Sequence, residues 1–228
     1  MIRDPGVTEE RSDASMESAE GAPVRHGEEW ANAATHGLAT VLTFLLGWYL
    51  VTGAMSRDKG LAVSCVVYVI SVAATFGSST LSHSFLKQPL LDRLRALDQA
   101  SIYAMISGTY TPIIYRFAPE TLRSWLLVAI WIAAASGIFT KLLFRHRVNN
   151  ITTLGYLLLG WLPSIPLISS VPSGLGWGML GGGVLYSLGV MVLINDHRRP
   201  FLHALWHLIV MSAATCHFAV ILIYVVGS

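Results

Sequence analysis

The chain has 228 residues, of which 54% are hydrophobic and only 12% are charged. This composition is too apolar for an ordinary soluble domain of this length, and it indicates an integral membrane protein. The net charge of +2 is small, and the basic residues form short clusters between apolar runs. This distribution favours membrane lipids as partners and argues against nucleic acid.

The chain divides into a polar tail and an apolar domain. Residues 1–25 mix charged residues with Ser, Gly and Pro and contain no long apolar run, so we predict a disordered cytoplasmic tail and no cleaved signal. In residues 26–228, apolar stretches of about 20 residues recur, long enough for helices that cross a membrane. We predict one all-α domain of seven membrane spans: Ala31–Gly53, Leu61–His83, Asp98–Tyr115, Ser124–Phe144, Ile151–Ser170, Leu175–Asn195 and His203–Val226.

The basic residues predict the orientation of these spans, because positively charged loops remain on the cytoplasmic side. With the amino terminus inside, the cytoplasmic segments hold eleven of the 15 Lys and Arg residues: Arg3, Arg11, Arg25, Lys87, Arg93, Arg95, Lys141, Arg145, Arg147, Arg198 and Arg199. The opposite face holds four: Arg57, Lys59, Arg116 and Arg123. We therefore predict a cytoplasmic amino terminus and an external carboxyl terminus.

Ionisable residues in membrane spans are costly unless they face the protein interior, so each one is a functional candidate. In the predicted topology, polar residues from four different spans lie at the same, cytoplasmic depth. They are His36, Ser79, His83, Asp98, His203 and His207. Scattered interfacial residues would not be expected to gather at one face in this way.

Three of these residues have the spacing of metal ligands. His203 and His207 are four residues apart and share one helical face, although such a pair could also simply anchor a helix at the interface. Ser79 and His83 have the same spacing and could face the pair. Three imidazoles and one water form the open tetrahedral arrangement of catalytic zinc, and Asp98 could hold or deprotonate that water.

Other readings of the neighbouring residues remain open. Asp98 precedes an apolar run and could cap the helix amino terminus. His36 could support the site or serve only in packing. Glu28, Glu29 and Asn32 could form hydrogen bonds near the site or cap the first helix.

Four segments resemble the bacterial hemolysin III proteins, within the progestin and adiponectin receptor family. They are EEWANAATHG, SSTLSHSF, LDQASIYAMISGTYTP and HALWHLIVMSAATCHF. The resemblance implies a seven-helix protein of the bacterial inner membrane, with zinc bound by His83, His203 and His207 near the cytoplasmic face. It also implies that Asp98 contacts the zinc-bound water and that Ser79 lies one turn before His83. The sequence departs from the family at Gln99, where many bacterial relatives have His, and at Ser82, where an aromatic residue is common.

The resemblance extends to the alkaline ceramidases, which share the set of one Ser, three His and one Asp. It implies a zinc-dependent amide hydrolase whose lipid substrate enters laterally, with Asp98 as general base and Ser79 steadying the water or the oxyanion. A second hypothesis is a non-enzymatic sensor or regulator of the membrane with a structural zinc. A third, a pore-forming hemolysin, is disfavoured because the spans lack a continuous series of polar residues through the outer half.

Overall fold

The computed structural model describes residues 26–144 and 150–227, and within these residues the chain forms seven α-helices. The predicted tail, residues 1–25, lies outside the described residues. The helices are α1 His26–Met55, α2 Lys59–Ser84, α3 Leu90–Phe117, α4 Glu120–Phe144, α5 Asn150–Trp161, α6 Ser173–Leu193 and α7 Leu202–Val220. A 3-10 segment, Leu162–Leu167, continues α5, and a π-helical segment, Ile221–Val226, continues α7.

A short turn joins α1 to α2, and Asp58 is the N-cap of α2. Its Oδ2 accepts a hydrogen bond from the backbone N–H of Leu61 at 2.7 Å, which satisfies one of the free N–H groups of the first helical turn. The Tyr115 hydroxyl donates to the same oxygen at 2.6 Å, and this bond is the largest cause of a lowered pKa for Asp58. The contact ties the start of α2 to the end of α3.

The helix α3 lies at the centre of the bundle. It contacts α2, α4, α5, the 3-10 segment after α5 and the π-helical end of α7. Five other helices are long and apolar enough to cross a membrane, whereas α3 and the short α5 are not among them. A helix surrounded by protein can carry the Ser, Thr and charged residues that lipid would not tolerate. The central position of α3 therefore explains its polar composition.

All seven described helices begin earlier than the sequence predicts, and the difference is largest in α1 and α3. The first begins at His26 and not at Ala31, and the third begins at Leu90 and not at Asp98. The added turns contain charged residues, among them Glu and Arg. Their low hydropathy places them outside a predicted membrane span, although Glu and Arg have high helix propensity. Asp98 therefore lies inside α3, and the alternative that it caps this helix is wrong.

The fifth predicted span, Ile151–Ser170, is not one continuous α-helix. The α-helical part ends at Trp161 and a 3-10 segment follows to Leu167. Pro163 and Pro166 lie in that segment, and because proline has no backbone N–H, neither residue can continue the α-helical hydrogen bonds.

The helices α2 and α3 approach each other closely at Gly108. A Cβ at this position would lie 2.5 Å from the Cβ of Ser71, too close for two carbon atoms. We expect Gly108→Ala to lower the free energy of unfolding by about 1–3 kcal/mol, because overpacking outweighs the better helix propensity of alanine. Thermal unfolding in detergent measures this loss.

Gly160→Ala is the matched control, because no neighbouring atom of the described residues lies within 4 Å of a Cβ at Gly160. This variant should be as stable as the wild type or more stable by up to about 1 kcal/mol. Equal stability of the two variants would contradict the close approach at Gly108.

Candidate metal centre

Three histidines from two helices meet at one end of the bundle. His83 lies in the last turn of α2, and His203 and His207 lie in the first two turns of α7. Their ring centroids are 4.8–5.2 Å apart, and one ring nitrogen from each lies within 4.8 Å of the others. The structure thus brings together the three residues that the sequence predicts as metal ligands.

Carboxylates fix the proton position on two of these rings. His83 Nδ1 lies 2.5 Å from Glu29 Oε2, and His203 Nδ1 lies 2.8 Å from Asp196 Oδ2. Because an ionised carboxylate only accepts hydrogen bonds, Nδ1 is the donor in both rings. Each Nε2 then keeps a free lone pair.

Oxygen atoms of α1 fix the third ring in the same way. His207 Nδ1 lies 3.2 Å from the backbone oxygen of Asn32 and 3.1 Å from Thr35 Oγ1. The Thr35 hydroxyl donates its own hydrogen to the carbonyl oxygens of Ala31 and Asn32, so it can only accept from the imidazole. His207 is therefore also protonated on Nδ1, and its Nε2 is free.

This donor set fits a metal ion. His83 Nε2 is buried and has no hydrogen-bond partner among the described residues. Metal-binding histidines typically donate their other ring N–H to a carboxylate or carbonyl oxygen, as all three do here. Zinc–nitrogen bonds of about 2.0–2.1 Å place two ligands of one ion roughly 3.3 Å apart, so nitrogen atoms that lie within 4.8 Å of one another would need to move closer by at most about 1.5 Å. Imidazole also suits several other divalent metals.

Asp98 approaches this cluster from α3. The carboxyl group lies near the side chains of His83, His203 and Ser79. The Ser82 hydroxyl shares its hydrogen between Asp98 Oδ2 at 3.1 Å and the backbone oxygen of Ser79 at 2.9 Å. Ser79 and Ser82 are both buried. From the sequence, Ser82 is only a departure from the family, whereas the structure shows that its hydroxyl holds the carboxylate beside the histidines.

His36 supports the cluster from α1 by packing. Its ring stacks on that of His207, with centroids 3.6 Å apart and planes 9° apart, and it also contacts the ring of Phe76. Both ring nitrogens of His36 are buried without a partner among the described residues. His36 therefore packs against the cluster through His207 and makes no hydrogen bond to it among the described residues.

The polar residues at the start of α1 have different hydrogen-bond partners. Glu29 and Asn32 accept hydrogen bonds from histidines of the cluster, whereas Glu28 Oε2 accepts from the backbone N–H of Phe201 at 3.3 Å. Sequence reasoning missed Asp196 and Thr35. The only signal for Asp196 was an acidic residue in the loop seven positions before His203, and its approach to that imidazole depends on the path of the loop.

Gln99 serves helix packing and not the histidine cluster. Its Oε1 accepts a hydrogen bond from Lys141 Nζ at 2.6 Å, and its backbone oxygen accepts from the Tyr156 hydroxyl at 2.8 Å. The residue that departs from the family pattern thus joins α3 to α4 and α5.

Glu29 should tune metal affinity through His83. We expect Glu29→Gln to weaken zinc binding about 10-fold and Glu29→Ala nearly 100-fold, because the carboxylate orients the imidazole and raises its basicity. Competition with a fluorescent zinc chelator measures the affinity. Glu28→Gln is the matched control, since Glu28 contacts the Phe201 backbone, and an equal loss in that variant would contradict the specific role of Glu29.

Comparison with known proteins agrees with this architecture. The family model described as "Haemolysin-III related" matches residues 25–218. The "Hemolysin-3 homolog" of Bacillus subtilis is 37% identical over 204 residues, which cover 87% of this chain and 95% of the relative. The "Hemolysin-3" of Bacillus cereus is 36% identical, covering 87% of this chain and 92% of the relative. The human "Monocyte to macrophage differentiation factor" is 29% identical, covering 88% and 86%. The chain is therefore a multi-pass integral membrane protein that belongs to the haemolysin-III related family.

Proposed function

We propose that this protein is a zinc-dependent hydrolase of ceramide-like lipid amides that acts at the inner face of the bacterial plasma membrane. The observation that supports this proposal is the histidine cluster with its carboxylate. Each of the three imidazoles keeps the lone pair of its Nε2 because an oxygen atom holds its Nδ1 hydrogen, and one ring nitrogen from each lies within 4.8 Å of the others. The half-buried Asp98 lies beside His83 and His203.

The proposal includes seven membrane spans with the amino terminus in the cytoplasm. Eleven of 15 basic residues lie on the cytoplasmic side in this orientation, as the positive-inside rule requires. The histidine cluster and the start of α1 lie at the same end of the bundle, because Glu29 in the first turns of α1 contacts His83. This orientation puts the site at the inner membrane face.

The chemistry follows from the residues around the cluster. A bound zinc ion would supply Lewis acidity toward an amide carbonyl and toward water. Asp98 would accept the proton of the attacking water and return it to the leaving amine as the C–N bond breaks. Ser82 would orient Asp98 through its hydrogen bond, and Ser79 would steady the water or the developing oxyanion.

A cavity of about 460 Å³ supports a lipid substrate. It lies among α3, α5, α6 and α7, and its lining is mostly apolar. Its lining includes Ile102, one helical turn after Asp98, and Trp206, the neighbour of His207. The cavity therefore comes within about one turn of the site and could receive an acyl chain that enters laterally between helices.

A second candidate function is a structural metal clasp in a membrane sensor or regulator. One ion at this position would tie α2 to α7, and the hydrogen bonds from Glu29 and Asn32 would add α1 to the assembly. This reading predicts a stabilising metal without turnover. No observation among the described residues favours the third hypothesis, a pore.

The test is fatty-acid release from ceramides by the full-length protein in lipid nanodiscs, with zinc and after removal of the metal by a chelator. We expect release that requires zinc and is restored when zinc is added back. If folded, zinc-loaded protein releases no fatty acid from ceramides, the hydrolase proposal fails. The clasp remains in that case if chelation lowers the melting temperature.

A further inference from the structure

A basic side chain lies beside the histidine cluster, nearer the end of the bundle. Arg95 lies on α3, three residues before Asp98, so the two residues share one face of the helix. Its Nη2 lies 3.8 Å from Oε1 of Glu29, whose other carboxylate oxygen contacts Nδ1 of His83. Arg95 is thus linked to the cluster through a single carboxylate, and it lies about 4.5 Å closer to the start of α3 than Asp98 does.

The guanidinium group of Arg95 has hydrogen-bond donors to spare. It carries five N–H donors, and the ion pair with Glu29 involves Nη2 at 3.8 Å, which is longer than a hydrogen bond. No described residue accepts a hydrogen bond from this group, and 40% of the side chain is exposed. The guanidinium group can therefore bind an anion without first breaking a hydrogen bond within the protein.

The residues on this face of α3 follow the order of the groups in a lipid amide. Arg95 comes first, Asp98 follows beside the histidines, and Ile102 then lines the apolar cavity. The spacings of three and four residues keep them on one side of the helix. A lipid amide has its headgroup, its amide and its acyl chain in the same order. With the amide at the metal centre, as proposed above, the headgroup lies at Arg95.

The charge and shape of the guanidinium group favour a phosphate headgroup. The group is always protonated, and two parallel N–H donors match two oxygen atoms of a phosphate. A hydroxyl headgroup brings no charge and accepts from one donor at a time. Further positive charge lies at the same end of the bundle, where four exposed basic residues form no ion pair with a described residue: Lys87, Arg93, Arg198 and Arg199. Their field also attracts an anionic headgroup.

We propose that Arg95 binds the phosphate group of a lipid amide, so that the protein prefers phosphate-bearing substrates to neutral ceramides. This inference rests on the hydrolase function proposed above and names its substrate class. Arg95 acts in binding alone. Water and the amide are consumed, a fatty acid and a phosphate-bearing amine are released, and the phosphate ester stays intact.

The experiment compares ceramide phosphate with ceramide of the same acyl chain, using the full-length, zinc-loaded protein in phosphatidylcholine nanodiscs. Initial rates of fatty-acid release give kcat and KM for each lipid. We expect kcat/KM of wild type to be about 10-fold higher for ceramide phosphate, mainly through a lower KM, as one charge-assisted bidentate contact allows. Arg95→Met should reduce this preference to about twofold or less. Arg95→Lys keeps the charge without the planar fork and should keep part of the preference.

Arg93→Met is the matched control, because Arg93 is exposed on the same helix and forms no ion pair with a described residue. This variant should keep the full preference. Zinc content, measured on each preparation, separates loss of headgroup binding from loss of metal through Glu29. Millimolar inorganic phosphate should leave the preference in place. Its loss under that condition would show that the site takes free phosphate and would overturn the assignment to the substrate.

Native mass spectrometry of the two lipids in competition distinguishes failure of this inference from failure of the hydrolase proposal. If wild type hydrolyses neither lipid but binds ceramide phosphate preferentially, and Arg95→Met loses that preference, the phosphate site stands and the hydrolase proposal fails. If wild type hydrolyses and binds both lipids equally, the hydrolase proposal stands and this inference is overturned. An undiminished preference in Arg95→Met also overturns it.

Discussion

His207→Ala will reduce the zinc content of the purified protein from about one ion per chain to less than about a tenth. The substitution removes one of the three proposed nitrogen ligands, and the expected loss of about 3 kcal/mol or more of binding free energy corresponds to at least 100-fold in affinity. We expect His203→Ala to reduce the zinc content to the same extent. Inductively coupled plasma mass spectrometry of folded, detergent-purified protein measures the metal content.

His217→Leu is the control for this prediction, because it also replaces a buried histidine on α7 but lies outside the cluster. It should retain the metal. A folded His207→Ala protein that keeps a full complement of zinc would contradict the three-histidine site.

Removing the ion should also lower thermal stability. At a free-ion concentration about 1,000 times the Kd, bound zinc contributes about 4 kcal/mol, which corresponds to roughly 10 °C for a chain of this size. Chelation should therefore lower the melting temperature of wild type by about this amount and leave that of His207→Ala unchanged. A similar decrease in both proteins would show that the chelator acts elsewhere.

Asp98→Asn should retain zinc and lose turnover on ceramides by about 100- to 10,000-fold, the range expected when a general base is removed. Asparagine preserves the shape of the side chain and can still accept the hydrogen bond from Ser82. It cannot take a proton from water. Initial rates of fatty-acid release and zinc content, measured on the same preparation, separate catalysis from metal binding.

The control is Asp92→Asn on the same helix, where the carboxylate is exposed and accepts from Gln88 Nε2 at 2.9 Å. Its rate should equal that of wild type. Loss of zinc in Asp98→Asn would instead identify Asp98 as a metal ligand, and an unchanged rate would remove it from the mechanism.

The sequence predicted the all-α architecture with seven helices and the membership of the hemolysin III family. The number of helices can be predicted from the sequence because the spans of a membrane protein must be long and apolar. The chain also alternates direction from one span to the next. The same alternation predicted that His83, His203 and His207 share one membrane depth. Helix boundaries were less accurate at α1 and α3, because charged turns that extend a helix beyond the span have no hydropathy signal.

The sequence by itself determined which residues can serve as ligands and at which end of the bundle they lie, since both follow from residue type and from span order. Only the tertiary structure decided how those residues are held. The Nδ1 partners of the three imidazoles come from α1 and from the loop before α7, and the loop path and helix rotation that bring them there leave no periodic pattern.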